Sequence, residues 1–220
     1  MLNTKHKLRG ISLIEAMITI VILAILTTLA LPSFTAYLQS LAVRNTAESL
    51  LVAAQTSRGE AIRSNNTVVF QVVDSLDNAC TTTSTGRYWV VSHCSAASHC
   101  GDPVSKQTAF PSNGCAGANP IILAKGTFDT DERVQIDLNN STLCYSSLGR
   151  INPIAANCPQ GSLTPAALAG GTLSINVTHQ ENNCLADGGD VRCLRLNIGM
   201  GGEPRLCDPA VYTTGDPRKC

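Results

Sequence analysis

Apolar residues follow three regimes along this chain. From Ile11 to Leu31 they run almost without interruption for 21 residues, with a single charge, Glu15. At about 1.5 Å of rise per residue, a helix of that length reaches about 30 Å, the depth of a bilayer's hydrocarbon core. Pro32 follows, and a proline inside a helix removes one backbone hydrogen bond and kinks the axis. Beyond it the apolar positions Tyr37, Leu38, Leu41, Ala47, Leu50, Leu51, Ala54, Ala61 and Ile62 recur mostly three and four apart, the spacing of an amphipathic helix. Arg44 and Glu48, one turn apart, reinforce it. The pattern predicts one long helix over about residues 11–64, ending near Asn65-Asn66, with Gly59 as a weak point close to its end.

After residue 66 the period changes to two. The segments 67–74, 87–94, 120–128, 133–138, 142–151, 171–179, 191–199 and 203–209 read as strands, the first two as partners. Between them lie a threonine-rich loop, 75–86, a long surface loop at 95–120 pinned by Cys100 and Cys115, and a loop at 152–170 with three prolines. Seven or eight short antiparallel strands packed on one helix make an α+β domain.

Charge and cysteine content narrow the setting. Lys5, Lys7 and Arg9 precede the apolar run, and basic flanks stay on the cytoplasmic side of a membrane. The chain has 16 basic and 16 acidic residues. Without the first ten residues 13 basic residues remain, a net charge of −3, which argues against a surface that coats nucleic acid. All ten cysteines follow residue 79: Cys80, Cys94, Cys100, Cys115, Cys144, Cys158, Cys184, Cys193, Cys207 and Cys220. An even number confined to the exported part is a disulfide framework of an oxidising compartment, and ten cysteines allow on the order of 10³ pairings.

Glu15 makes the N-terminus specific. A carboxylate inside a membrane helix costs a few kcal/mol and needs a partner. Gly10, then Ile-Ser-Leu-Ile-Glu, then an apolar run with a proline near its end, resembles the N-terminus of type IV prepilins. Ile11 and Ser12 stand where the family more often has Phe and Thr. A secretory signal peptide would have a shorter apolar core and a small-residue cleavage site after it. The resemblance implies cleavage between Gly10 and Ile11 by a prepilin peptidase, methylation of the new Ile11 amine, and pairing of Glu15 with a neighbouring subunit's N-terminal amine during assembly. Ala47, Leu50, Leu51, Ala54, Ser57, Arg58, Glu60, Ala61 and Asn65 resemble the helix pattern of minor pilins and pseudopilins of the FimT, FimU and GspH group. The later segments SSLGRI and IGMGGEPRLCDP resemble that group's paired strand ends.

The organisation this implies is a leader at 1–10, a transmembrane or filament-core helix at 11–31, its amphipathic continuation at 32–66, and a disulfide-rich periplasmic domain with the pilin fold at 67–220. The implied place is the inner membrane, crossed once, and later the pilus or its tip. The implied partners are the peptidase and other minor and major pilins, with no cofactor and no small-molecule substrate. A pseudopilin of type II secretion shares the same fold.

Three other constellations stand beside this reading. His93, Cys94, His99 and Cys100 could be drawn as a zinc site, but oxidised cysteines in a loop are the simpler account. The acids of 128–133 lack the ligand spacing of a calcium loop. No nucleophile sits in a catalytic context, so no catalytic residue is assigned. Arg192, Arg195, Arg205, Arg218 and Lys219 make the C-terminal stretch locally basic and are the candidate group for double-stranded DNA. FimT-like pilins bind DNA through a Gly-Arg-x-Arg element. Here the matching stretch is Gly202-Glu203-Pro204-Arg205, with an acid in the first arginine's place.

Overall fold

The structure is a computed structural model that describes residues 11–105, 115, 119–128, 133–138, 142–152, 158 and 171–220, without the side chains of Leu29 and Pro32. One helix, α1 (Leu13–Ser64), opens the chain. Eight strands follow: β1 (Val68–Val73), β2 (Tyr88–Ser92), β3 (Ile122–Thr127), β4 (Val134–Leu138), β5 (Thr142–Tyr145), β6 (Thr172–His179), β7 (Leu194–Gly199) and β8 (Pro204–Cys207). The chain divides into two compact units, one up to Leu38 and one from Gln39 to Cys220. The fold is α+β, with antiparallel sheets and five disulfides.

In the second unit α1 contributes a stripe of small residues. Ala47, Ala53, Ala54, Ala61 and Ser57 are buried along it beside Val43 and Leu50. Small side chains let sheet backbones come close, and the buried Ser57 hydroxyl donates back to the Ala53 carbonyl at 2.8 Å. The helix runs through Gly59, whose missing Cβ would meet nothing within 4 Å.

The strands form two sheets of four, in the orders β3-β2-β1-β5 and β4-β6-β7-β8. In the first, Val68, Phe70 and Val72 of β1 enter the core shared with the helix. Val73 points the other way, into a second cluster with Val90, Ile122, Cys80, Ala96 and Cys100. All six residues of β1 are therefore buried, as in a strand covered on both faces. The outer cover is the segment sequence reading assigned to a surface loop. Ala96 and Cys100 are fully buried in it, because the Cys80–Cys100 disulfide folds it back over the sheet. Gln71 ties it down: its Oε1 accepts the Ala96 N–H at 2.7 Å and its Nε2 donates to Ser95 and Thr142 hydroxyls, each at 3.3 Å. Cys100 and Cys115 do not pin one loop together. Cys100 pairs with Cys80, and Cys115 with Cys94.

The second sheet keeps a clean alternation. Leu173, Ile175 and Val177 of β6, with Leu196 and Ile198 of β7, face the core. Ser174, Asn176, Thr178 and Asn197 stay half-buried on the outer side. The segment 142–151 is shorter as a strand than its sequence suggests. It turns after Tyr145, where Ser146 and Gly149 close a tight loop, and Ile151 returns to bridge Tyr145. Gly149 takes a left-handed φ of 69°, a conformation that suits glycine.

Candidate functional site

Two regions carry the residues that sequence reading singled out. The first is the N-terminal arm of α1. Ser12 caps it: its Oγ accepts the Glu15 N–H at 3.3 Å and its carbonyl accepts the Ala16 N–H at 3.1 Å. Four hydroxyls along the arm turn inward on the helix. Thr19, Thr27, Thr28 and Ser33 each donate to the carbonyl three residues back, at 2.8–3.0 Å. Such bonds leave an apolar surface that lipid or another helix can cover. The apolar side chains stand exposed, Ile11 and Leu13 each at 79%. Glu15 is exposed among them, and its carboxylate has no hydrogen-bond or ion-pair partner among the described residues. It lies in the first turn, where the helix dipole favours a negative charge.

No single helix among the described residues is long and apolar enough to cross a membrane. The arms Leu13–Thr28 and Ser33–Ser64 together have the length and composition for it. The side chain of Pro32 and all of residues 1–10, with the expected cleavage position Gly10, lie outside the described residues.

The second region is the C-terminal face of the β4-β6-β7-β8 sheet. The register places Arg195 opposite Cys207 and Asn197 opposite Arg205, so these four side chains share the outer face. Arg195 Nε donates to Asn176 Oδ1 at 2.8 Å, and Asn197 Oδ1 accepts the Ser174 hydroxyl at 2.8 Å. An open groove of about 560 Å³ follows β8, lined in part by Thr172, Asn197, Glu203, Arg205, Lys219 and the Cys207–Cys220 disulfide. Sequence reading missed this groove, which forms where the C-terminal tail returns to β8.

The five candidate DNA-binding cations do not form one cluster of free charge. Arg192 lies 3.3 Å from the buried Asp208 carboxylate. Arg218 grips Asp216 with two bonds, and that hydrogen bonding pushes the Asp216 carboxyl down to about 2. Arg205 donates to the Pro217 carbonyl and Lys219 to the Tyr212 carbonyl. Arg205 and Lys219 line the groove beside Glu203.

The cysteines pair as Cys80–Cys100, Cys94–Cys115, Cys144–Cys158, Cys184–Cys193 and Cys207–Cys220. Cys94 and Cys100 thus sit in different disulfides. His93 Nδ1 lies 3.3 Å from the Thr67 carbonyl, and His99 Nδ1 lies 3.1 Å from Asp102. Burial lowers the His93 pKa from its ordinary value. The acids Asp129, Asp131 and Glu132 lie outside the described residues.

A third feature joins distant segments. Gly202, at φ 78°, packs so tightly on the turn after β5 that a Cβ there would lie 1.9 Å from the Gly149 carbonyl oxygen. Arg58 of α1 donates to that same carbonyl at 3.2 Å. The segments SSLGRI and IGMGGEPRLCDP are thus in direct backbone contact.

The described residues thus combine an exposed apolar arm, whose one carboxylate has no partner among them, with a disulfide-stapled α+β unit. Residues 5–31 match the family model described as the prokaryotic N-terminal methylation motif. No curated protein matches it. Among solved structures it is similar to the type IV minor pilin FimU of Pseudomonas aeruginosa strain PAO1 in two crystal forms. The P21 form gives 13% identity and a TM-score of 0.44 over 78% of this chain and 92% of that one. The P65 form gives 13% and 0.42 over 78% and 97%.

Proposed function

We propose that this protein is a minor pilin, cleaved after Gly10, methylated at Ile11 and anchored once in the inner membrane with its disulfide-rich domain in the periplasm. It joins other pilins in a complex that primes or caps a pilus. Glu15 carries the reading. It is the only charge between Ile11 and Leu38 and the fifth residue after the expected cut, and its carboxylate has no partner among the described residues while the nearby hydroxyls are satisfied. A charge left open in an apolar surface is stabilised when a partner arrives with the opposite charge, so burial of the arm and pairing of Glu15 are coupled.

Gly10→Val should leave an unprocessed precursor, read as a larger band and an unmethylated N-terminus. Normal processing of that variant would sink the cleavage assignment. Glu15→Ala should be cleaved normally yet fail to enter pili; unchanged incorporation would remove its assigned role. A DNA-uptake role has weaker support, because carboxylates answer Arg192 and Arg218 and phosphate binding needs several free cations together. A pseudopilin role in type II secretion would leave the cleavage and Glu15 expectations unchanged and would show instead as a secretion defect.

A further inference from the structure

The five disulfides differ in how their sulfurs meet solvent. Cys80, Cys94, Cys100, Cys144, Cys193 and Cys207 are buried, and Cys115, Cys158 and Cys184 are half-buried. Cys220 alone of the ten is exposed. The Cys207–Cys220 disulfide is therefore open to attack on one sulfur and shielded on the other. In thiol–disulfide exchange the attacked sulfur keeps the incoming group and the other leaves as a thiolate. Access to one half and stabilisation of charge on the other thus set the rate and the direction.

The shielded half is placed to carry that charge. Cys207 lies on the outer face of β8, and Asn197 Nδ2 donates to its sulfur at 3.2 Å. Arg195 of β7 is its cross-strand neighbour on the same face. Arg205 and Lys219 line the groove beside it. Their side chains donate to the Pro217 and Tyr212 carbonyls, and Arg195 to the Asn176 amide oxygen, all neutral groups. Glu203, exposed, is the carboxylate that lines the same groove. Asp208 and Asp216 nearby are engaged by Arg192 and Arg218. Three cations against one carboxylate leave this face positive around the two sulfurs, the setting in which a thiolate is stabilised.

We infer that Cys220 is an exchange site for a small acidic thiol, a cysteine-containing peptide that carries carboxylates. The groove of about 560 Å³ receives the body of the thiol, with its carboxylates on Arg205 and Lys219 and its amide groups beside Asn197 and Thr172. The thiol gives its proton to solvent and attacks Cys220 Sγ. A new S–S bond joins it to Cys220, the Cys207–Cys220 bond breaks, and that bond's electron pair leaves on Cys207 Sγ beside the Asn197 N–H. The Cys207 thiolate takes a proton back from solvent. One thiol is consumed and one is made, so no other oxidant or reductant enters. The tail then hangs on β8 by the Asp208 N–H bond to the Arg218 carbonyl, at 2.7 Å, and by the side-chain bonds of Arg205 and Lys219. The exchange is independent of how the protein assembles.

The test uses the full chain, oxidised and in detergent, with glutathione as the probe at neutral pH. Free thiols are then blocked with iodoacetamide and the peptides mapped by mass. The expected product carries glutathione on Cys220 and the blocking group on Cys207, formed at least about tenfold faster than any adduct at another disulfide. Glutathione on Cys207 instead, or equal rates at the five disulfides, would overturn the assignment. Cysteamine, a cationic thiol, reads the role of charge. Arg205→Gln with Lys219→Gln should lower the ratio of the glutathione rate to the cysteamine rate at least about threefold. An unaltered ratio, which a merely loosened tail would give, overturns the choice of an acidic thiol. Asn197→Leu should slow both thiols at least about threefold with the adduct still on Cys220, and unslowed exchange would overturn the role given to Cys207 as the leaving sulfur.

Discussion

Gly202→Ala is the sharpest perturbation this fold offers, because its neighbour provides the control. Gly202 has φ 78°, and an added Cβ would sit 1.9 Å from the Gly149 carbonyl oxygen. Holding alanine in the left-handed region costs about 1–2 kcal/mol. Ordinary contact begins near 3.4 Å, so the hairpin must also retreat by about 1.5 Å. The retreat strains the Ile151 to Met200 backbone bond and the Arg58 bond to the Gly149 carbonyl. Losing one of these adds about 1 kcal/mol, for a total of about 2–3 kcal/mol. Gly201 is one residue away, and a Cβ there meets nothing within 4 Å. Gly201→Ala should therefore shift stability by about 0.5 kcal/mol or less. The assay is urea unfolding of both variants and the parent, oxidised and in the same detergent. Equal effects of the two substitutions would refute the argument, because only the Gly149 contact and the φ distinguish the sites.

Three further outcomes follow from the same structure. Burial lowers the His93 pKa below its ordinary value of 6.5, so the unfolded chain takes up the proton first. The contribution is complete above 6.5 and fades as the pH falls below it; His93→Gln should flatten the urea midpoint between about pH 7 and 5. Replacing both Cys80 and Cys100 by serine opens a loop with a sequence separation of 20 and strips the outer cover from Val73, Val90 and Ile122. The cost should be about 3 kcal/mol or more, and a loss under about 1 kcal/mol would contradict the role given to that cover. The Asp216 carboxyl, pushed down to about 2 by its hydrogen bonds with Arg218, stays charged until the pH falls well below the ordinary carboxylate value of 3.8. Asp216→Asn should therefore free Arg218 at neutral pH and steepen the salt dependence of any DNA binding by about 1; an unchanged slope would show that Arg218 does not face phosphate.

The long helix and the strands were legible because each follows a local period. The reading of residues 11–64 as helix meets the observed Leu13–Ser64, and 171–179 meets Thr172–His179. What was not legible depends on contacts between distant segments. Periodicity describes the alternation of Val134, Ile136 and Leu138 but cannot say that β4 joins β6 rather than β3. The buried state of Ala96 and Cys100 was hidden because their segment has no period of its own; it is held by a disulfide and by Gln71. The Gly149–Gly202 contact was partly visible, since both glycines lie in segments that resemble pilin strand ends, but nothing in the sequence says that the two segments touch. Glu15 stood out because a lone charge in an apolar run is costly, whereas the groove beside Arg205 and Lys219 did not, since it forms only when the C-terminal tail returns to β8.

The placement of the cysteines bears on assembly as well as stability. Their sequence separations run from 9 to 21, so no disulfide joins the two sheets across the core. The core is already held by the helix stripe and the inward faces of both sheets. The staples fall instead on segments with little regular structure of their own. One such segment, between Cys184 and Cys193, carries Leu185, Asp187 and Asp190, and the next, between Cys207 and Cys220, carries Tyr212. A free loop must be ordered when it enters an interface, at about 0.5–1.5 kcal/mol for each immobilised side chain on top of its backbone. A loop closed by a disulfide has already met much of that cost. Glycines serve another segment by a different route, locking the turn at Gly149 and the hairpin at Gly202 through a contact too close for any side chain. Both segments are thus ordered by constraints of their own, a disulfide in one case and a backbone contact in the other.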